Sequence, residues 1–197
     1  ENSEAELVTV TVTANGVTLT NTQSITFTAA DASSLDIQSG NNQTGTVGQA
    51  LAEAFVVIVT DEFGNPVEGE SVNFAIDQTP LGASGQSLST SSATTDASGE
   101  ASTILTLGDI PGTYTVDASS GSLAAVTFTA EAQIGDASQM TVSTQPSVTT
   151  AGEVISPAPA VTVTDDEENG VQGVNVTVSE RGGYALDGGT FTIETDP

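Results

Sequence analysis

Almost every side chain here that could do chemistry is a carboxylate. The 197 residues include 26 Asp and Glu against one basic residue, Arg181, with no His, Cys or Lys and a formal charge of -25. Many of the acids sit in a phrase written twice: VTDEFGNPVEG, opening at Val59, returns about 100 residues later as VTDDEENGVQG, opening at Val163. Oxygen ligands at such density suit a hard cation, and calcium takes 6 to 8 of them at roughly 2.3 to 2.6 Å. Asp165, Glu167 and Asn169 fall at alternate positions before Gly170, like part of a calcium loop, but Val176 stands where an EF-hand requires its final Glu.

The missing residue types close other chemistries. Without imidazole or thiol there is no Ser-His-Asp or Cys-His nucleophile, so the expectation is that this chain is not an enzyme. Zinc sites of His and Cys are excluded likewise. A nucleic acid partner needs Lys and Arg along its phosphates, so none is expected, and a phosphate-cradling G-x-x-x-x-G-K-[ST] cannot be written without Lys. No apolar run approaches about 18 residues, so this segment is not expected to insert in a membrane, and nothing at Glu1 reads as a signal peptide.

The elements that must position the carboxylates are strands. LVTVTVTANG sets Val8, Val10 and Val12 on one face and Thr9, Thr11 and Thr13 on the other, a period of two in β-branched residues. AFVVIVTD (54–61) predicts a more deeply covered strand, and SVNFAID (71–77) an alternating one with Val72, Phe74 and Ile76 inward. STILTLG, TYTVDAS and AAVTFTA follow, each ended by Gly, Ser, Asp or Pro. Phe27, Phe55, Phe74 and Phe128 are expected in the core. Tyr114, just after Pro111-Gly112, is expected to brace a corner with its hydroxyl. Many short strands without an amphipathic helix predict an all-β chain of sandwiches.

Repetition sets the organisation. SITFTAADASSLDI near the start matches AVTFTAEAQIGDASQMTV near the end, and VTVTANG at Val10 matches YTVDASS at Tyr114, again about 100 residues apart. The phase predicts three units: 1–30 holding the last strands of a truncated repeat, 31–131 a complete one, and 132–197 the first strands of a further truncated one. A piece of a longer tandem array is expected. The two partial units nearly add up to a whole, so completion between neighbouring copies of the chain is a second expectation.

VTDEFGNPVEGESVNFAI, TTDASGEASTILTLGDIPGTYTVDASSG and AAVTFTA together resemble the bacterial immunoglobulin-like repeat of the invasin and intimin type. The shared pattern is a strand, D-x-x-G-N-P-V-x-G-x-x-V-x-F, a T-D-x-x-G-x-A turn, and G-x-Y-x-V before a closing strand. The last copy lacks the Gly-Asn-Pro order and reads as carrying Asn169 and Gly170 one register later, without proline. The resemblance implies stalks of bacterial surface adhesins, where most repeats are spacers. In immunoglobulin order, strand B is 54–60, strand C is 71–77, and the repeated phrase is the B–C loop. The B–C, D–E and F–G loops then share one pole with the entry of strand A. Asp31, Asp61, Glu62 and Asp96 are expected to gather there, and Asp136, Asp165, Asp166 and Asp196 at the next joint.

Two arrangements stay open at these joints: calcium clamping the carboxylates into a stiff rod, or ordinary turns with the charges splayed into water. Tyr184 and Arg181, in ERGGYALDGG, are expected to pack within the fold or contact a neighbouring domain sooner than a ligand. The Lys-poor acidic surface suits high salt or seawater-like calcium, where negative charge keeps a surface hydrated. The expected function is an extracellular stalk or spacer with neighbouring repeats as its partners. Alternatives are a self-assembling fibre or surface-layer subunit joined to copies of itself, and a carbohydrate-binding module, for which aromatics at 4% of the chain give little platform.

Overall fold

The computed structural model describes residues 3–18, 23–147, 150, 153, 155–178 and 191–195, and these contain strands and turns with no helix. None of them forms a helix long and apolar enough to cross a membrane. The opening ladder comprises β1 (Leu7–Val10), β2 (Thr13–Ala14), β3 (Val17–Thr18) and β4 (Gln23–Thr26), with β1 paired to β4 and β2 to β3. The central sandwich follows: β5 (Ser34–Ser39), β6 (Gln43–Thr46), β7 (Phe55–Thr60), β8 (Ser71–Gln78), β9 (Ser87–Leu88), β10 (Ser92–Thr94), β11 (Glu100–Thr103), β12 (Leu105–Thr106), β13 (Gly112–Ser119) and β14 (Val126–Gln133). After it come β15 (Gln139–Thr144) paired with β16 (Ala160–Thr164), and β17 (Asn175–Val178) paired with β18 (Phe191–Glu194).

In the centre, a three-stranded sheet ordered β11-β7-β5 faces a five-stranded sheet ordered β10-β8-β13-β14-β6. Strict alternation builds the interface: Phe55, Val57 and Val59 of β7 are buried, as are Val72 and Phe74 of β8, Tyr114, Val116 and Ala118 of β13, and Phe128, Ala130 and Ala132 of β14. Phe55 and Phe128 stack between the sheets with ring centroids 4.6 Å apart. The chain changes sheet between β5 and β6 at Gly40, whose φ is +83°. A Cβ there would collide with the backbone carbonyl of Ala54, so only glycine fits.

Two features depart from the sequence reading. No reading of the sequence separates β9 from β10: β9 pairs with β12, but β10 crosses over to pair with β8, so the turn at Asp96 bridges the two sheets. Phe27, expected in the core, is 37% exposed. Val10 and Val12, expected on a covered face, are exposed too, as is Met140 on β15. In the ladders flanking the central sandwich only Val163 of β16 and Val176 of β17 are buried among the described apolar residues, whereas Leu7, Val10 and Val17 of the opening ladder stand exposed.

Register fixes the poles. Ser34, the first residue of β5, lies opposite Thr60, the last of β7, so the chain enters beside the loop that starts at Asp61. At the other end Gly112 pairs with Ala132, so the chain leaves beside the loop carrying Asp109 and Ile110. Tyr114 braces that exit loop, its hydroxyl donating to the carbonyl of Ile110 at 2.7 Å. Burial there pushes the phenol's pKa up, although the Ile110 hydrogen bond works against the shift.

Candidate functional site

The loop after β7 is a turn organised around Asp61, which is 3% exposed. Its Oδ1 accepts the backbone N–H groups of Phe63 and Asn65, both at 2.9 Å, the self-capping that Asp favours in turns. Its Oδ2 accepts the Asn65 side-chain amide and, across the joint, the backbone N–H of Ala30, both at 2.9 Å. Burial alone pushes this carboxyl's pKa up. The Asn65 side chain and the N–H groups of Ala30, Asn65 and Phe63 outweigh that and hold it at about 2, against 3.8 ordinarily.

Asn65 in turn grips the segment ahead of β1. Its Nδ2 donates to the Ser3 carbonyl at 2.7 Å and its Oδ1 accepts the Ala5 N–H at 2.9 Å. The Asp-x-x-x-Asn spacing therefore ties three stretches together: its own turn, the linker residue Ala30, and the loop ahead of the preceding ladder.

The second copy of the phrase builds the same turn around its own aspartate. Asp165 is 1% exposed, and its Oδ1 accepts the N–H groups of Glu167 (3.0 Å) and Asn169 (2.9 Å). Its Oδ2 accepts the N–H of Gly135 in the linker at 3.0 Å, and the Asn169 amide donates to both oxygens at 3.2–3.3 Å. Asn169 Nδ2 also reaches the carbonyl of Asp109 in the exit loop at 2.8 Å. Here too burial pushes the carboxyl's pKa up, and the N–H groups of Gly135, Asn169 and Glu167, with the Asn169 side chain, bring it below the ordinary value.

Asp109 is itself pinned, its carboxylate accepting the Ser84 N–H at 2.7 Å and the Ser84 hydroxyl at 2.6 Å. Those bonds, the hydroxyl's first, hold its pKa below the usual range.

Both loops share one backbone register: Asp61 N–H bonds Asn65 O as Asp165 N–H bonds Asn169 O, and Val67 N–H bonds Val59 O as Val171 N–H bonds Val163 O. Asn169 thus occupies the place of Asn65, not one position later, and Gly170 takes the place of Pro66. The true difference lies one residue earlier, where Glu168 at φ +65° replaces Gly64 at φ +85°.

The other expected acids stay at the surface. Asp31, Glu62 and Asp96 are exposed around the entry pole, where the Asp96 turn lies against the end of β7 through the bond from Val59 N–H to Gly99 O. Asp96 Oδ1 caps its own turn through the N–H groups of Ser98 and Glu100. Asp136 and Asp166 are exposed at the second joint. Asp196, Arg181 and Tyr184 lie outside the described residues. Among the described residues, no three His, Cys, Asp or Glu side chains are grouped so as to hold a metal ion.

Sequence reasoning missed Asp109 and the part Asn65 and Asn169 play across the joints: it offers Asn169 as one oxygen of a calcium loop, whereas its amide donates to Asp165 and Asp109. The signal for the two asparagines was present: counted from the aspartate, both stand at the same offset in the two copies of the phrase.

Residues 51–131 match the family model of the bacterial Ig-like domain (group 1). No curated protein matches the sequence. Among solved structures, the chain is similar to FdeC, an Escherichia coli adhesin, with 20% identity and a TM-score of 0.55 over 89% of this chain and 56% of that one. The D00-D0 domain of intimin aligns at 20% identity and a TM-score of 0.40, over 64% of each chain. Domains 4 and 5 of the S-layer protein SbsC align at 23% identity and a TM-score of 0.38, over 65% of this chain and 58% of that one. The chain spans less than two thirds of each of these structures, and the likeness to the adhesin is one of fold. Residues 51–131, which run from the connection between β6 and β7 into β14, belong to the bacterial Ig-like domain (group 1) family.

Proposed function

We propose that this chain is a length of extracellular stalk in a bacterial surface protein, in which Ig-like repeats are strung pole to pole and hold other domains away from the cell. One observation carries the reading: the chain enters the central sandwich beside Thr60 and leaves it beside Gly112, at opposite ends of the strands. A unit threaded in this way adds its whole length to the chain. Eight residues of β14 extend about 26 Å at roughly 3.3 Å each. The family assignment supports the reading, as does the absence of imidazole, thiol and Lys from the sequence, which leaves little with which to build a catalytic site. The adhesin whose fold the chain shares lends a surface role of the same kind.

Sedimentation and small-angle scattering of the purified chain test this. The expected result is a monomer with the scattering profile of an elongated particle. Long polymers would replace the stalk with a self-assembling fibre, and saturable binding on a glycan array would replace it with a carbohydrate-binding module. Calcium stiffening of the joints is part of the same proposal and has its own arm. A bound ion raises the melting temperature by mass action and EDTA reverses the rise. An unchanged transition removes the ion and leaves the stalk standing.

A further inference from the structure

We infer that the Asp-x-x-x-Asn elements at 61–65 and 165–169 are joint locks, each docking the entry pole of one unit onto the exit pole of the unit before it through direct hydrogen bonds. The inference rests on the stalk reading for its purpose but on geometry for its substance. In both copies the aspartate accepts the N–H of the linker, Ala30 or Gly135, and the asparagine seizes backbone of the preceding unit, Ser3 and Ala5 or Asp109. The surface that each lock recognises is therefore main chain: one linker N–H and carbonyl oxygen in the exit loop. Any linker residue except proline can supply the donor, which is why Ala30 and Gly135 serve equally.

The partner this surface fits is the lower pole of another Ig-like repeat whose exit loop is held still. Asp109 shows how: its carboxylate is anchored on Ser84, so the carbonyl that Asn169 takes is presented by a rigid loop. The second joint carries one further contact. A Cβ added at Gly48, in the turn after β6, would stand 2.5 Å from Glu167 Oε1, so the B–C loop also reaches this turn. Phe63 holds the corresponding place in the first loop and is 59% exposed.

The lock needs no bridging ion to hold. Each aspartate spends both its oxygens on N–H donors, so a cation would have to displace those donors before it could bind.

Site-resolved amide exchange on the intact chain tests the inference, with and without excess EDTA. The amides of Ala30 and Gly135 should be protected in both conditions. Asn169→Ala should speed exchange at Gly135 roughly tenfold and leave Ala30 unchanged, and Asn65→Ala should do the reverse, each variant losing three side-chain hydrogen bonds. The Val57 amide, in the middle of the central sandwich, reports whether each variant has folded. Linker amides that exchange as fast as open coil, or that ignore both variants while Val57 stays protected, would overturn the lock. Protection that appears only with calcium and vanishes with EDTA would overturn it too. Polymerisation or glycan binding would sink the stalk and leave these exchange rates as they are, so the two failures are distinguishable.

Discussion

Acid should leave the joint at Asp61 closed at a pH where an ordinary aspartate has taken up its proton. The carboxyl has a pKa of about 2 in the folded chain against 3.8 when free. At pH 3 a group titrating at 2 is about nine-tenths ionised, whereas one titrating at 3.8 is about one-seventh ionised. Because the folded value is the lower one, the contribution to stability is complete above 3.8 and is lost progressively as pH falls from there through 2. Global melting is a poor gauge of this, since the same acid neutralises many of the 26 carboxylates and relieves their mutual repulsion. The amide resonance of Ala30 is better placed, because its N–H donates directly to Oδ2. That resonance should titrate with a midpoint near 2, and Asp61→Asn should abolish the titration while leaving the N–H an amide oxygen to bond. A midpoint at or above 3.8, or one that persists in Asp61→Asn, would refute the claim that N–H donors outweigh burial at this site.

Phe128→Ala removes one ring of the stacked pair that bridges the two sheets and should cost about 3–5 kcal/mol in denaturant unfolding of the central sandwich. Glu168→Gly should stabilise the second loop by about 1 kcal/mol, read as a later unfolding of β15 and β16, because it relieves a left-handed backbone conformation that costs an L-residue roughly that much. Gly64→Ala should destabilise the first loop by a similar amount, since a Cβ there meets nothing within 4 Å and only the backbone objects.

The fold was legible where alternation of β-branched residues met a facing sheet. Val57, Val59, Val72, Phe74 and Val116 carry their own period, and the structure buries all five. The same alternation in LVTVTVTANG misled about burial, because a pattern states which face is apolar and not whether anything covers it; hence Val10 and Val12 stand exposed. The crossover of β10 to β8 was illegible, since a three-residue strand has too few side chains to declare its sheet. At the joints, the phrase and its pole were readable from repetition, but its chemistry was not. Turn residues were recognised by type, and charge drew attention to ligands for a cation. The decisive partners are backbone N–H groups, which no sequence pattern distinguishes from any others. Asn65 and Asn169 could still have been found, because a side chain kept at one offset while its neighbours change implies a contact beyond the turn itself.

The composition explains why the joint takes this form. A chain with one basic residue cannot offset a buried carboxylate with Lys or Arg, so Asp61 and Asp165 are stabilised by dipoles. Backbone N–H groups bonded to an anion give charge-assisted hydrogen bonds without a second formal charge. Salt acts differently on the two designs. Ion pairs at a surface weaken as the Debye length shrinks to about 3 Å at 1 M, whereas short hydrogen bonds to buried oxygens lie inside that distance and are largely shielded from it. Repulsion between exposed acids such as Asp31 and Glu62 is screened by the same salt. A chain of this composition therefore keeps its attractive contacts and sheds its repulsive ones as salt rises, so its joints should tighten in brine, where a joint held by surface ion pairs would loosen.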